Sequence, residues 1–305
     1  MKSPKGSVSF QGTVVEIHGI KATVLDHSDA KRVRCRPLRD RRQLAVGDRV
    51  DVESGRHGPA VSALQERERC LWRPVERGKR LMAAHVDRVC VVVSVSPPPR
   101  AGLIDRFLIA AEAAGIDVLL VLNKVDITEG RAEAEAELEP YRALGYQTLR
   151  TSAESGEGLD ALRESVSQGF SVFAGHSGVG KSSLLNQLVP GLALGVGSTN
   201  EMTGKGRHTT SVTTCHELGA AWPDGALVAD TPGVRAFGLY GMELTAIAEG
   251  FRDLARYTGG CRFRDCLHEG EPECAVQEAI DNGELSLQRV EAYRRILVSV
   301  REGDG

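Results

Sequence analysis

The chain lacks several features that would assign it to a protein class at once. None of its apolar stretches approaches the ~20 residues that cross a bilayer, and the longest ones, such as Val89–Val95 and Ile116–Leu122, have the length of a strand. The first ten residues lack the apolar core of a signal peptide. The formal net charge is only -3, so no overall excess of positive charge indicates a nucleic-acid partner. We therefore expect a cytoplasmic protein without a membrane partner.

The chain has few cysteines, seven in 305 residues, and their number is odd. This is not the composition of a protein held together by disulfides. Three of them crowd between Cys261 and Cys274, which favours a metal site in a reducing compartment. The other four, Cys35, Cys70, Cys90 and Cys215, are scattered and typical of small buried or partly exposed residues.

Three segments differ in their hydrophobic patterns and predict three domains. Residues 1–70 alternate over short stretches, as in a small β-barrel. Residues 71–240 alternate buried strands with helices, which predicts an α/β domain with a parallel sheet. Residues 241–305 are mainly helical and end in a predicted helix over Leu285–Val300. The other predicted elements are strands at Ser9–Ile17, Ala22–Leu25, Arg32–Cys35, Arg49–Glu53, Arg88–Val95, Asp117–Leu122 and Gly169–Ala174, and helices at Ile104–Ala114, Glu133–Leu144 and Gly158–Ser167.

A phosphate-binding loop is predicted between a strand and a helix. Its residues are Gly175, His176, Ser177, Gly178, Val179, Gly180, Lys181, Ser182 and Ser183, and they fit G-x-x-x-x-G-K-[ST]. Glycines allow backbone N–H groups to surround phosphate oxygens at a helix N-terminus. We expect Lys181 to act catalytically on the β- and γ-phosphates and Ser182 to bind Mg²⁺.

A guanine-binding loop is predicted at Asn123, Lys124, Val125 and Asp126, directly after a buried strand. The Asp126 carboxylate can accept both donors of guanine, whereas adenine would leave that charge unpaired. Downstream, Thr151-Ser152-Ala153 is expected to form the loop that offers a backbone N–H to the guanine carbonyl, with Ser152 and Ala153 as the binding residues. Either signal is weak alone, because a solvated loop would have the same residues.

The remaining contacts to Mg²⁺ and the γ-phosphate are expected further along the chain. Asp230 follows an apolar stretch and is a candidate Mg²⁺ ligand, and the Gly233 N–H could meet the γ-phosphate. Thr209 and Thr210 are both candidates for completing the Mg²⁺ shell, and the sequence does not choose between them.

Val234 occupies the position after Gly233, where well-known small GTPases carry a glutamine that orients the attacking water. Valine cannot do this, so we predict slow intrinsic hydrolysis and stimulation by a partner. His208 is the nearest candidate for orienting or deprotonating water. The alternative for His208 is a solvated loop histidine.

The motifs run in a permuted order. The guanine-binding loop precedes the phosphate loop, whereas the usual order places it last. A join of the usual termini near Ser167–Gly169 and a cut after the 230–233 motif would keep the same sheet. Residues 234–241 then lead directly into the C-terminal segment, so movement driven by the γ-phosphate could reach that segment.

A closed set of zinc ligands is predicted in the C-terminal segment. Cys261, Cys266, His268 and Cys274 supply three thiolates and one imidazole, the composition of a structural Zn²⁺ site. We expect one Zn²⁺ per chain, besides the Mg²⁺ that accompanies GTP.

The permuted order, the sequences GHSGVGKSSL, GRHTT and DTPGVRAF, and the Cys₃His set together resemble the RsgA (YjeQ) family of bacterial GTPases. The resemblance covers nearly the whole chain. It implies an N-terminal OB-fold, a circularly permuted GTPase domain and a C-terminal zinc domain. It also implies GTP hydrolysis stimulated by the small ribosomal subunit in its late maturation, contact with ribosomal RNA, and a catalytic role for His208. We expect a monomer.

The resemblance favours RNA binding by Lys31–Arg42, which holds seven basic residues and one acidic one. A solvated charged loop is the alternative for this segment. For the whole chain, two other functions compete with a ribosome-assembly GTPase. One is a nucleic-acid-binding module whose nucleotide site turns over negligibly, and the other is a translation or signalling GTPase with a different partner.

Overall fold

A closed five-stranded sheet forms the N-terminal part of the chain. The computed structural model describes residues 8–36, 43–55, 57–75, 78–189, 191–194, 214–218, 226–230, 239 and 241–303. The strands are β1 (Val8–His18), β2 (Lys21–Asp26), β3 (Arg32–Cys35), β4 (Arg49–Glu53) and β5 (Ala60–Leu64), in the antiparallel order β3-β2-β1-β4-β5. A bridge between Arg36 and Ala60 joins the two edges. The predicted β-barrel is confirmed, and its connectivity is that of an OB-fold.

A hairpin connects the barrel to the next sheet, and the sequence analysis did not predict it. Its strands are β6 (Leu71–Val75) and β7 (Gly78–Ala83), and Ala83 bridges to Val46 of the barrel. Leu71 and Ala83 belong to the same hydrophobic core as the following sheet. The barrel and the sheet therefore share buried apolar surface.

The central sheet has six strands in the order β10-β9-β8-β11-β13-β12. The strands are β8 (Arg88–Ser94), β9 (Asp117–Asn123), β10 (Gln147–Arg150), β11 (Phe170–Ala174), β12 (Thr214–Glu217) and β13 (Leu227–Asp230). All neighbouring pairs are parallel except β12 with β13. The predicted α/β class with a parallel sheet is confirmed, with an antiparallel edge strand that the sequence analysis missed.

Within the described residues, five helices accompany this sheet: α1 (Ala101–Ala113), α2 (Arg131–Ala136), α3 (Glu139–Ala143), α4 (Leu159–Ser165) and α5 (Lys181–Leu188). The single helix predicted over Glu133–Leu144 is wrong, because α2 and α3 are separate. Pro140 lies in the first turn of α3. Proline has no N–H for the preceding turn and its ring clashes with the carbonyl four residues earlier, so a continuous helix is interrupted there.

The C-terminal part contains α6 (Leu244–Glu249), α7 (Ala255–Thr258), α8 (Ala275–Asp281) and α9 (Leu287–Arg301), which share one hydrophobic core. Arg289 of α9 joins this part to α1 by contacting Asp105, and it also contacts Asp253. Among the described residues, no helix has both the length and the apolar character that a membrane crossing requires. The boundaries predicted for the three domains remain a prediction.

Candidate guanine-nucleotide and metal sites

The predicted nucleotide-binding segments follow strands that run in the same direction. The register pairs Ser94 with Asn123 and Phe173 with Asp230. Arg150, at the end of β10, pairs with Leu122. Because these strands are parallel, the carboxyl ends of β9, β10, β11 and β13 lie at the same edge of the sheet. Ligands of open α/β sheets bind at this edge.

The phosphate loop runs from β11 into α5. Lys181 is the first residue of α5, and its Nζ donates to the carbonyl oxygens of Gly175 at 2.9 Å and His176 at 3.0 Å. Burial lowers the pKa of Lys181, and the nearby Asp230 carboxylate acts in the opposite direction. The ammonium group is therefore held inside the loop, close to where phosphate oxygens would lie.

The guanine-binding loop contacts the phosphate loop directly, although the two lie far apart in sequence. Asn123 Nδ2 donates to the Val179 carbonyl at 2.9 Å, and Lys124 Nζ donates to the Gly178 and Ser96 carbonyls at 2.6 Å each. A Cβ on Gly180 would lie 2.3 Å from Asn123 Nδ2, so a side chain there would separate the loops. The two motifs thus form one structural unit.

The loop after β10 completes this unit. The Ala153 N–H donates to Asn123 Oδ1 at 3.3 Å, and the buried Thr151 hydroxyl contacts the same oxygen at 3.3 Å. Ser152 Oγ donates to Asp126 Oδ1 at 2.5 Å. Asp126 itself is exposed, whereas Val125 is buried. The carboxylate is therefore fixed by a hydroxyl while it remains accessible to a base.

The Mg²⁺ side of the predicted site contains Ser182 and Asp230, whose Oγ and Oδ2 atoms are 3.1 Å apart. A hydroxyl and a carboxylate are oxygen donors of the type that Mg²⁺ prefers, so the pair fits this ion. His208, Thr209, Thr210, Gly233 and Val234 lie outside the described residues.

The remaining predicted residues differ in their surroundings. His176 is half-buried and its Nδ1 lies 2.8 Å from the Ser177 carbonyl. Ser183 is half-buried in the first turn of α5. Of the segment predicted to bind RNA, residues 31–36 are described, and residues 37–42 lie outside the described part.

Two contacts at this site were missed from the sequence. The Ser96 carbonyl accepts from Lys124, and the Thr151 hydroxyl lies against Asn123. A backbone carbonyl leaves no trace in residue type, so no motif could have identified Ser96. Thr151 belongs to the predicted loop over residues 151–153, and only the contact of its hydroxyl with Asn123 was not predicted.

The four predicted zinc ligands come together in the C-terminal part, with ligand atoms within 4.8 Å of one another. The His268 Nδ1 atom lies 3.6 Å from Cys261 Sγ, 3.5 Å from Cys266 Sγ and 3.3 Å from Cys274 Sγ. Metal–sulfur bonds of about 2.3 Å and metal–nitrogen bonds of about 2.0 Å in a tetrahedron give sulfur–nitrogen edges of about 3.5 Å. The cluster therefore has the dimensions to hold a metal ion.

The surroundings of this cluster suit a metal site. Burial lowers the pKa of His268, which favours the neutral imidazole that metals bind. Arg294 donates to the His268 carbonyl, and the Tyr293 hydroxyl donates to the Leu267 carbonyl at 2.8 Å. The ligand loop is thus held against α9. Cys35, Cys90 and Cys215 are buried and Cys70 is partly exposed, outside this cluster.

Comparisons with known proteins agree over nearly the whole chain. A family model described as RsgA GTPase matches residues 64–240. A small ribosomal subunit biogenesis GTPase RsgA from Ectopseudomonas mendocina is 40% identical over 301 residues, covering 97% of this chain and 85% of the relative. The protein of the same name from Pseudomonas aeruginosa is 41% identical over 297 residues, covering 96% of this chain and 86% of the relative.

Two solved structures resemble the chain as a whole. YjeQ from Thermotoga maritima superposes with a TM-score of 0.76 at 32% identity, covering 95% of this chain and 98% of that one. YloQ, described as a circularly permuted GTPase, superposes with a TM-score of 0.73 at 25% identity, covering 99% of this chain and 98% of that one.

Proposed function

The chain belongs to the RsgA GTPase family, and on that premise we propose that it hydrolyses GTP to GDP and phosphate while assisting late maturation of the small ribosomal subunit. It is a GTP hydrolase of ribosome biogenesis, as its relatives are named. The small subunit and its RNA are the proposed partners, which would place the protein in the cytoplasm. We also propose that it acts as a monomer.

The contact between the guanine-binding loop and the phosphate loop is the main support for this proposal in this chain. Asn123 and Lys124 hydrogen-bond to the carbonyl oxygens of Val179 and Gly178. A base held by Asp126 and a triphosphate held by the phosphate loop would then occupy one continuous site. The permuted order of the motifs is compatible with such a site, because strand ends rather than chain order bring the loops together.

Each residue of the site has its own proposed role in binding the base, binding the phosphates or hydrolysing GTP. Asp126 would accept hydrogen bonds from guanine, and the Ser152 hydroxyl would fix the orientation of this carboxylate. The backbone of Ser152 and Ala153, in the loop after β10, would offer an N–H to the guanine carbonyl. The backbone N–H groups of residues 175–183 would surround the phosphates, and Lys181 would neutralise charge that develops on the γ-phosphate during in-line attack. Transfer of that phosphoryl group to water leaves GDP and inorganic phosphate.

The Mg²⁺ ligands would be Ser182, Asp230 and either Thr209 or Thr210. When bound, Mg²⁺ neutralises phosphate charge and orients the β- and γ-oxygens. We propose that His208 orients the attacking water, since Val234 cannot do so, and that the Gly233 N–H meets the γ-phosphate. Intrinsic hydrolysis is then slow until the small subunit completes the arrangement.

We propose zinc for the Cys₃His cluster, with one structural ion per chain. Three thiolates favour a soft ion or zinc, and four protein ligands leave no open position for catalysis. The RNA-binding role of Lys31–Arg42 remains part of the same proposal, supported by its basic residues.

Phosphate release with purified ribosomal subunits tests the proposal. Small subunits should accelerate GTP hydrolysis by one to several orders of magnitude, as partners do for other slow GTPases, and large subunits should not. Lys181→Ala serves as the inactive control. Nucleotide binding without stimulated turnover would favour the sensor function, and stimulation by another partner alone would favour a different GTPase class.

A further inference from the structure

The barrel contacts the central sheet along the edge strand β12. Strand β1 packs beside β12, and Arg32 of β3 reaches β12 with its guanidinium group. Arg32 Nε lies 2.9 Å from Glu217 Oε1, and its second nitrogen donates to the Cys215 carbonyl at 3.4 Å. One side chain of the barrel therefore holds both a side chain and the main chain of this strand.

Strand β12 lies next to the Mg²⁺ side of the nucleotide site. Its only strand partner within the described residues is β13, where Thr214 pairs with Asp230 and Cys215 with Ala229. Asp230 in turn accepts from the Ser182 hydroxyl. The contacts therefore run from Arg32 through the antiparallel ladder of β12 and β13 to Asp230 and Ser182, the two described oxygen donors for Mg²⁺.

Strand β12 has four residues and lies at the edge of the sheet, where its ladder with β13 and the buried Cys215 hold one side of it. Edge strands present unpaired carbonyl groups on their outer side. The Arg32 guanidinium donates a hydrogen bond to one such group, the Cys215 carbonyl. The Arg32 and Glu217 side chains are 40% and 33% exposed, so the ion pair alone contributes little to stability. A geometric role is therefore a better explanation of this arginine than a stabilising one.

We propose that Arg32 is a positioning residue for the Mg²⁺ side of the nucleotide site, acting through Glu217 and the β12 main chain on Asp230. This inference rests on the proposed GTPase function and adds a residue of the barrel to that site. It makes the barrel a part of the nucleotide-binding unit rather than only a module that binds RNA.

The test is the Mg²⁺ dependence of nucleotide binding, measured with fluorescent GDP on the full chain. Arg32→Gln and Glu217→Gln should each raise the Mg²⁺ concentration for half-maximal tight binding by about fivefold, the lower end of typical coupling between sites. Binding in EDTA should stay unchanged, because affinity without Mg²⁺ rests on Asp126 and on the backbone of the phosphate loop rather than on Asp230. The double variant should need no more Mg²⁺ for half-maximal tight binding than either single variant, since both substitutions remove the same contact.

A matched control comes from another exposed arginine ion pair. Arg142 pairs with Glu139 on α3, far in sequence from β12, and Arg142→Gln should leave the Mg²⁺ dependence at the wild-type value. Arg32→Lys should have a smaller effect on the Mg²⁺ dependence than Arg32→Gln. A lysine ammonium can contact Glu217, but it lacks the forked guanidinium that also reaches the Cys215 carbonyl.

Three results would overturn the inference. Wild-type Mg²⁺ dependence in both Gln variants would mean that Arg32 only docks the barrel. An equal loss of affinity with and without Mg²⁺ would mean a general structural effect. Failure of the wild-type chain to bind guanine nucleotide at all would overturn the proposed function itself, and the inference with it.

Discussion

The side chain of Lys124 makes two bonds to backbone carbonyl oxygens, those of Ser96 and Gly178. The aliphatic stem of a lysine in such a loop also offers an apolar surface on which the guanine ring can lie. The bonds and the stem contact are compatible, because the ammonium can bind the loops while the methylene groups face a base. Residue type predicts which chemistry a side chain offers, whereas the position of a carbonyl acceptor depends on the folded loops.

His85 is a residue whose surroundings the sequence did not reveal. It is 6% exposed, and neither ring nitrogen has a hydrogen-bond partner among the described residues. Burial is the main cause that lowers its pKa, followed by the charge of Arg49. Its φ of 54° lies in the left-handed region, where asparagine is more common than most residues. Burial therefore disfavours the protonated imidazole in the folded chain.

Replacing His85 by Asn should reduce the loss of stability at low pH. The pKa of His85 is lower in the folded chain than the usual value of about 6.5, so as the pH falls the unfolded chain takes up this proton before the folded chain does. The free energy of unfolding of the wild type should therefore fall as the pH decreases from 7.5 to 5.5. In His85→Asn this fall should be smaller by up to about 1 kcal/mol, measured by urea unfolding.

The exposed His27 provides the control for this prediction. His27→Asn should leave the pH dependence of the unfolding free energy close to that of the wild type. The same pH dependence in His85→Asn as in the wild type would show that the buried imidazole is not the group responsible.

At the scale of secondary-structure elements, α9 is joined to α1 by a buried charge cluster. Arg289 lies between Asp105 at 2.8 Å and Asp253 at 2.7 Å, and Asp105 is only 1% exposed. Burial raises the pKa of Asp105, and the Arg289 guanidinium counteracts this rise. Removing one partner of such a cluster lowers the free energy of unfolding by more than the intact cluster contributes to it, because a buried charge is left without its partner.

Arg289→Met should therefore lower the free energy of unfolding by about 3 kcal/mol. Adding Asp105→Leu should recover part of this loss, because the unpaired buried carboxylate is removed. Urea unfolding of the single and double variants measures both effects. Arg295→Met, on the exposed side of the same helix, should change stability by less than about 0.5 kcal/mol. No difference between Arg289→Met and Arg295→Met would contradict the role of the cluster.

The loop between α7 and α8 supplies the four ligands of the Cys₃His cluster, and hydrogen bonds from Tyr293 and Arg294 hold this loop against α9. Purified protein should contain one zinc ion per chain by mass spectrometry of the metal. Cys266→Ser should lose most of this zinc and increase hydrogen exchange of residues 259–281, since binding and folding of such loops are coupled. Cys70→Ser should keep the full metal content. A full zinc content in Cys266→Ser would exclude this ligand set.

At the scale of the whole molecule, the sequence predicted the main layers and missed the features that join them. Strongly periodic or continuous apolar segments, such as those of β8 and β9, were recognised because burial on a parallel sheet requires them. Strand β12 and the β6–β7 hairpin were missed, since short strands at an edge carry no such pattern. Pro140 marks the separation of α2 from α3 in the sequence, but the alanine- and glutamate-rich composition around it favours a single helix.

The candidate site was easier to predict than the contacts between domains. Residues 123–126, 152–153 and 175–183 were identified from motifs whose spacing follows from phosphate and base chemistry. The contact of Arg32 with Glu217 joins residues that are 185 positions apart, and no local pattern connects them. Such contacts depend on how the barrel packs on the sheet, which motifs do not determine.

The central claim is that one guanine-specific site, built from two separated stretches of chain, performs the hydrolysis. Asp126→Asn tests it most directly, because an amide can donate to the 2-oxo group of xanthine and accept from its N1–H, whereas it mismatches the 2-amino group of guanine. With small ribosomal subunits present, this variant should lose GTP hydrolysis by a factor of at least about 10² and should gain hydrolysis of xanthosine triphosphate. Undiminished GTP hydrolysis by Asp126→Asn would contradict the account, because the base would then be bound somewhere other than this loop.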